Sequence, residues 1–196
     1  MKRYTRKTIN YYNNIANDYF RSSAAIVIKN KIDQFISSLS GEKVLDVGCG
    51  PGHDTNYLRK KGVDCIGIDL SEKMIEIARQ NFGKKFEIMD FFNLKFKNDY
   101  FDGLWCSSVF VHVARNDLSK ILENFRKVLK NNGSLGIITV QKQKVIKNKN
   151  DTRTYIMYGK KELGDYLGRS GYKLLVSETF IYGGKKRLFI VAKNKK

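Results

Sequence analysis

The feature that most restricts the fold of this chain is a glycine-rich turn at residues 48–52, between an apolar segment and a polar one. The apolar segment, residues 43–47, predicts a buried strand, and residues 53–61 have the composition of a helix. Gly48, Gly50 and Gly52 stand at alternate positions between them. Glycine lets a ligand lie against bare backbone, and the N–H groups at the start of the next helix point toward it. The stretch therefore predicts a pocket for a nucleotide-type cofactor.

Two carboxylates at the ends of predicted strands indicate which cofactor. Asp46 stands two residues before the first glycine, and Asp69 follows the next apolar segment, residues 63–68. A dinucleotide site has the spacing G-x-G-x-x-G and receives a pyrophosphate, which a carboxylate beside the loop would repel. Here the spacing is G-x-G-x-G, and together with Asp46 it favours a cationic ligand over NAD. S-adenosylmethionine fits, because it carries an ammonium and a sulfonium but no phosphate. Asp69 lies near the offset of about 20 residues at which an acidic side chain binds a ribose diol.

These motifs resemble those of the class I S-adenosylmethionine-dependent methyltransferases, and most closely the small-molecule type related to quinone-biosynthesis enzymes. The likeness runs from about residue 10 to the C-terminus. Other matching features are the segment from Gly67 to Ile75, Met89-Asp90, Phe101-Asp102 and residues 129–135. The resemblance implies an α/β, Rossmann-like fold. Its sheet would have seven strands in the order 3-2-1-4-5-7-6, the last strand antiparallel, with helices on both faces.

The alternation of apolar and amphipathic segments independently predicts a parallel sheet with helices on both faces. A length of 196 residues is typical of one domain. We therefore expect a single domain over residues 1–196, in which residues 1–40 form an N-terminal helical lid. Predicted strands are residues 43–47, 63–68, 86–89, 101–108 and 133–140, followed by a hairpin about Gly183-Gly184; predicted helices are residues 24–39, 53–61, 71–81, 117–130 and 160–170.

The resemblance also implies site residues. Tyr12 and Tyr19 lie on one face of a predicted helix, either as part of a lid over the cofactor or as packing residues. Asp90 would accept a hydrogen bond from the adenine amino group, or it only closes a turn, and the Phe91 N–H would reach the ring. The implied cofactor-binding residues are Tyr12, Tyr19, Asp46, Gly48, Gly50, Gly52, Asp69, Leu70, Asp90, Phe91 and Ser107.

His112 is the predicted catalytic residue, acting either as a general base or only as a hydrogen-bonding group in the active-site wall. The resemblance implies contacts between the acceptor and Arg153, Tyr155 and Tyr158. Residues 142–151 are rich in lysine, which predicts either an acceptor-binding insertion or a solvated loop. The sequence predicts no metal site.

The expected reaction is direct displacement, in which a small-molecule acceptor takes the methyl group and S-adenosylhomocysteine is released. A formal net charge of +18 leaves an anionic substrate or RNA open as a partner, although a lysine-coated surface also explains it. Pro51 is the only proline, so the proline-containing motifs of DNA and RNA base methylation are lacking. The alternatives are an RNA methyltransferase and a non-catalytic, S-adenosylmethionine-binding regulatory protein.

Cysteine content and hydropathy predict where the protein works. The three cysteines show neither metal-ligand spacing nor a paired framework. No run of 18 apolar residues is present, so we expect no membrane span. These features predict a cytoplasmic protein with reduced thiols.

Overall fold

The structure is a computed structural model that describes residues 3–24, 27–142, 153 and 155–196. Helices and strands alternate through its central part and end in a hairpin. The helices are α1 (Arg3–Ser23), α2 (Lys29–Ile36), α3 (His53–Lys60), α4 (Glu72–Phe82), α5 (Arg115–Val128) and α6 (Lys160–Arg169). The strands are β1 (Lys43–Val47), β2 (Asp64–Asp69), β3 (Phe86–Ile88), β4 (Phe101–Ser107), β5 (Leu129–Val140), β6 (Tyr172–Tyr182) and β7 (Lys185–Asn194).

The strands form one seven-stranded sheet in the order β3-β2-β1-β4-β5-β7-β6, which confirms the predicted topology. β1 lies inside the sheet and pairs in parallel with β2 and β4. β7 runs antiparallel to both β5 and β6. The β6–β7 turn contains Gly183 and Gly184 with φ of 59° and 68°. Two consecutive residues with positive φ match the twist of a tight hairpin, as predicted from the glycine pair.

Each face of the sheet has its own hydrophobic core. Leu104 and Ile137 belong to the core that α5 and α6 cover. Trp105 and Ile138, their neighbours along the same strands, belong to the core beneath α2 and α3. Successive side chains of a strand point to opposite faces, so a strand covered on both faces is apolar at every position. This double coverage explains the continuous apolar runs in the sequence.

Helix α1 lies against α4 at the carboxyl edge of the sheet. Ala16 packs in a cluster with Met74 and Ile77. The Ser71 hydroxyl caps α4 by accepting from the Met74 N–H at 3.2 Å, and it donates to the Asn13 side chain of α1 at 2.6 Å. Within the described residues, α1 is the longest helix, and no helix there combines the length and apolar character needed to cross a bilayer.

Several predicted boundaries were wrong. The helix predicted at residues 24–39 is α2, which begins only at Lys29, because Ile28 has φ −91° and ψ 76°, outside the helical region, and which ends at Ile36. The helix predicted to end at residue 130 ends at Val128, and the strand predicted to begin at residue 133 begins at Leu129, because Leu129 is extended and already pairs with Phe101. Residues 143–151 of the predicted lysine-rich loop lie outside the described residues.

Gly136 of β5 tests how tightly this sheet is packed. A Cβ atom at Gly136 would lie 2.6 Å from a Phe35 ring carbon and 2.7 Å from a Trp105 ring carbon. We expect Gly136→Ala to lower the free energy of unfolding by about 1–3 kcal/mol through overpacking, measured by urea denaturation. Gly168→Ala is the control, because a Cβ there meets no atom within 4 Å and should stabilise α6 by up to about 1 kcal/mol. Equal effects of the two substitutions would contradict the packing.

Candidate active site

A cleft of about 800 Å³ opens between the carboxyl ends of the central strands and helix α1. Several residues that sequence reasoning did not select also line it. Thr8 stands one helical turn before Tyr12, so helical spacing was a signal for it, and Met74 lies in the segment that carries the family resemblance. The cleft brings together the predicted residues Tyr12, Tyr19, Gly48, Gly50, Asp69, Leu70, Phe91, Ser107 and His112.

The glycine-rich loop presents bare backbone to this cleft. Gly48 and Gly50 have φ of 66° and 52°, in the left-handed region that favours glycine. A Cβ at Gly48 would lie 2.4 Å from Val109 Cγ2. Gly52, with φ of 89°, does not line the cleft, because its Cα faces the Phe86 ring, 2.8 Å from where a Cβ would stand. The first two glycines therefore shape the cleft, and the third permits close packing behind it.

Asp69 connects the loop to the next helix. Its carboxylate accepts from the Gly50 N–H at 2.9 Å and from the Ser71 N–H at 2.8 Å. Desolvation raises the pKa of Asp69, and the N–H groups of Ser71 and Gly50 oppose that shift. The side chain thus forms part of the cleft wall while it holds the glycine loop in place.

Two further carboxylates line a smaller adjoining cleft of about 480 Å³. Asp46 is only 2% exposed and accepts from the Thr55 hydroxyl at 2.6 Å. Asp54 accepts from the Trp105 indole N–H at 2.8 Å. Burial raises the pKa of Asp46, and the Asp54 carboxylate raises it further. A cation bound here would favour the charged form of both acids. This agrees with the cationic ligand that Asp46 indicated in the sequence.

Asp54 and Thr55 were missed by sequence reasoning. Both follow the glycine loop directly, in the first turn of α3, so their position in the sequence was the available signal. The polarity of this turn gave no indication that its side chains point back under the loop. Trp105 was assigned only to a strand, although its indole N–H is what holds Asp54.

A hydrogen-bonded chain connects α1 with the segments that follow β4 and β5. The Tyr12 hydroxyl lies 3.1 Å from His112 Nε2 and accepts from Arg153 Nη1 at 3.1 Å. The guanidinium of Arg153 also lies over the rings of Tyr11, Tyr12 and Tyr155, at 4.4, 5.4 and 4.9 Å from their centroids. Burial raises the pKa of Tyr12, so its phenol stays protonated at neutral pH. The predicted residues Arg153 and Tyr155 are therefore placed beside His112.

Asp90 and Tyr158 do not line either cleft. Asp90 accepts from the Phe92 N–H at 2.9 Å and closes the turn after β3, while the neighbouring Phe91 reaches the cleft. Tyr158 is completely buried, and its hydroxyl donates to the Val113 carbonyl at 2.8 Å. The structure thus places Tyr158 in the core beneath the site, because a parallel bridge to Gln141 draws its backbone against the end of β5.

Comparison with known sequences identifies the central part of the chain. A family described as a methyltransferase domain matches residues 44–133. The methyltransferase GfsG of Streptomyces halstedii is 30% identical over 109 residues, which cover 52% of this chain and 38% of that protein. A ubiquinone biosynthesis O-methyltransferase of Coxiella burnetii is 31% identical over 116 residues, which cover 57% of this chain and 48% of that protein. The chain thus spans less than half the length of these curated relatives.

Solved structures share the whole fold. A 1,6-didemethyltoxoflavin-N1-methyltransferase from Burkholderia thailandensis, solved with 1,6-didemethyltoxoflavin and S-adenosylhomocysteine, superposes with a TM-score of 0.81. The superposition covers 98% of this chain and 89% of that one at 18% sequence identity. At this identity the likeness concerns the fold, which includes the hairpin outside the matched family segment.

The buried carboxylate of Asp46 makes stability depend on pH. Burial raises its pKa in the folded chain above the ordinary value of 3.8, so the unfolded chain loses this proton first as the pH rises. The free energy of unfolding therefore falls between about pH 4 and the folded-state pKa. We expect Asp46→Asn, which keeps the shape without the charge, to show a smaller fall and higher stability at neutral pH in urea unfolding.

The control for this prediction is Asp64→Asn, which changes an exposed carboxylate at the other end of β2. It leaves Asp46 unchanged, so this variant should still show the fall in stability above about pH 4. Parallel curves for the parent and Asp46→Asn would contradict the assignment of a raised pKa to Asp46.

Proposed function

We propose that this chain, which belongs to the class I S-adenosylmethionine-dependent methyltransferases, transfers a methyl group from S-adenosylmethionine to a small-molecule acceptor and releases S-adenosylhomocysteine. The observation that carries the proposal is the cleft at the carboxyl edge, where the bare backbone of Gly48 and Gly50 meets the carboxylate of Asp69. A small-molecule acceptor is consistent with a cleft that has apolar and aromatic walls and a few polar groups.

The residues of the cleft fit each part of the cofactor. Asp69 would accept hydrogen bonds from the ribose hydroxyls, and Gly48 and Gly50 present bare backbone to the cofactor. Leu70 and Phe91 would form apolar walls for the adenine ring. The carboxylates of the adjoining cleft, Asp46 and Asp54, would attract the ammonium group. Carboxylates in these places would repel a pyrophosphate.

The remaining task of the chain is to position the reactants and exclude water. When bound, the cofactor supplies a methyl group activated by its sulfonium. Tyr12 and Tyr19 of α1 stand edge to face, 5.6 Å apart, and close one wall of the cleft. We propose that α1 serves as a lid over the cleft of this domain. Ser107, which lines both clefts, would lie where cofactor and acceptor meet.

We place His112 as the general base toward the acceptor. It lines the cleft, and its ring is fixed by the Tyr12 hydroxyl on one side and by the edge of Tyr155, 5.5 Å between centroids, on another. A ring held in this way can take a proton from an acceptor hydroxyl or amine without reorienting.

We infer a cytoplasmic location from the thiols. Cys49, Cys65 and Cys106 are all buried and unpaired. Burial raises the pKa of each of these thiols well above its usual range, so they are inert toward oxidation. Unpaired cysteines are typical of proteins that work in a reducing compartment.

Cofactor binding is tested by Asp69→Asn. Losing a charged acceptor for hydrogen bonds of about 1.5–3 kcal/mol each should weaken S-adenosylmethionine binding by about ten- to a hundredfold in calorimetric titration. Asp64→Asn on the same strand is the matched control and should bind like the parent. Unchanged affinity in Asp69→Asn, or binding of NAD by the parent, would contradict the cofactor assignment.

The role of His112 is tested by His112→Gln, using an acceptor identified by screening phenols, amines and thiols. Loss of a general base should lower kcat by on the order of 100-fold or more and leave cofactor affinity unchanged. Removing a general base should also change the pH dependence of the rate relative to the parent. A pH profile that the substitution leaves unchanged would reduce His112 to a hydrogen-bonding wall residue.

A further inference from the structure

We propose that Trp105 is a positioning residue of the cofactor site, because its indole N–H fixes the carboxylate of Asp54 where that carboxylate binds the ammonium of S-adenosylmethionine. The inference rests on the proposed function and deepens it, since it assigns residues to the selection of the amino-acid end of the cofactor. It follows from the way in which the first turn of α3 is bonded to the sheet.

The first turn of α3 is attached to two neighbouring strands by hydrogen bonds of opposite direction. Asp46 of β1 and Trp105 of β4 are register partners, so their side chains lie on the same face of the sheet. The Thr55 hydroxyl donates to Asp46 at 2.6 Å, and the Trp105 indole N–H donates to Asp54 at 2.8 Å. Turning Asp54 out toward solvent would therefore break its bond to a buried donor.

Packing in the core fixes the orientation of Trp105. Its side chain is completely buried, and its ring lies 5.2 Å from that of Phe35 and 6.4 Å from that of Phe189, between centroids. A Cβ at Gly136 would lie only 2.7 Å from a Trp105 ring carbon. The indole has a single donor, and leaving a buried donor without an acceptor is unfavourable. The direction of this N–H therefore sets the position of Asp54.

The charge of Asp54 indicates a role toward a ligand, because the hydrogen bond alone does not require it. A neutral amide oxygen would also accept from the indole. Asp54 is instead a carboxylate that lines the adjoining cleft with Asp46, and its charge raises the pKa of Asp46. Within the described part of the chain, neither acid forms an ion pair with a lysine or arginine. The ammonium of the cofactor would supply the counter-ion.

Asp54 is more accessible to this ammonium than Asp46. Asp46 is 2% exposed, whereas Asp54 is only half-buried. The bond from Trp105 uses one of about four acceptor positions of the Asp54 carboxylate, so the others remain for charge-assisted hydrogen bonds to an ammonium. Asp69 lines the other cleft, where it would bind the ribose. Separate carboxylates would thus recognise the two ends of the cofactor, and a ligand without an ammonium would use only one of them.

The test compares binding of S-adenosylhomocysteine with binding of 5′-methylthioadenosine, which has the adenosyl and thioether parts but lacks the ammonium. We expect the parent to bind S-adenosylhomocysteine at least about tenfold more tightly in calorimetric titration. Asp54→Asn keeps an oxygen that accepts from Trp105 but loses the charge, so it should weaken S-adenosylhomocysteine by about ten- to a hundredfold. Its affinity for 5′-methylthioadenosine should change by less than about twofold.

The positioning role is tested by Trp105→Phe, which keeps an aromatic ring in the core and removes the N–H. The affinity for S-adenosylhomocysteine should fall by about three- to tenfold, and that for 5′-methylthioadenosine by less than about twofold. Phe189→Leu is the matched control, because it perturbs the same core and leaves the indole bond in place. It should lower the melting temperature and keep the ratio of the two affinities within about twofold of the parent ratio.

Trp105 is the only tryptophan of the chain, so its fluorescence tests the role even where Trp105→Phe fails to fold. An ammonium bound at Asp54 neutralises the charge beside the indole and should shift the emission of the parent. Binding of 5′-methylthioadenosine should leave that emission unchanged.

The proposal is overturned if the parent binds both ligands alike, or if Asp54→Asn weakens both equally or neither. It is also overturned if S-adenosylhomocysteine leaves the emission of Trp105 unchanged, or if Trp105→Phe and Phe189→Leu change the ratio of affinities to the same extent. Failure of the parent to bind either ligand would contradict the proposed function itself, and this is seen in the first titration.

Discussion

The pair of hydrogen bonds that Asp69 accepts from the Gly50 and Ser71 N–H groups is the interaction on which the site depends. One carboxylate at the end of β2 thereby fixes the glycine loop after β1 and the first turn of α4. The Ser71 hydroxyl extends the connection to Asn13, and so to α1. The loop, the helix that opens beside it and the helix that covers it are therefore positioned by groups that also form the cleft wall.

Charge is distributed unevenly across this edge. Desolvation raises the pKa of Asp46, Asp54 and Asp69 beside the glycine loop, although the chain as a whole carries a formal charge of +18. Arg153 lies on the other side of His112, over the rings of Tyr12 and Tyr155. Burying these acids lowers the stability of the free chain, since the charged form of each is desolvated. A bound cation would offset this cost.

Much of the fold and part of the site could be predicted from the sequence. The sequence indicated the positions of the glycines, Asp46 and Asp69, because these residues stand at the ends of apolar strands. The carboxyl ends of parallel strands lie at one edge of the sheet, so these residues were expected to share a site. Tyr158 shows the limit. It shares a segment with Arg153 and Tyr155, yet a bridge to Gln141 buries it in the core. Asp54 and Thr55 could not be singled out, because polar residues are common in the first turn of a helix whether that turn faces a site or the solvent.

The sequence by itself determined the glycine loop and the acidic strand ends, because these follow from local periodicity and backbone freedom. The order of the strands was implied by the family that its motifs resemble. Only the tertiary structure decided which side chains share a space. The hydrogen bond from Arg153 to Tyr12 joins residues 141 positions apart. No local pattern specifies such a contact, because it depends on how helix α1 and the segment after β5 pack against the same edge of the sheet.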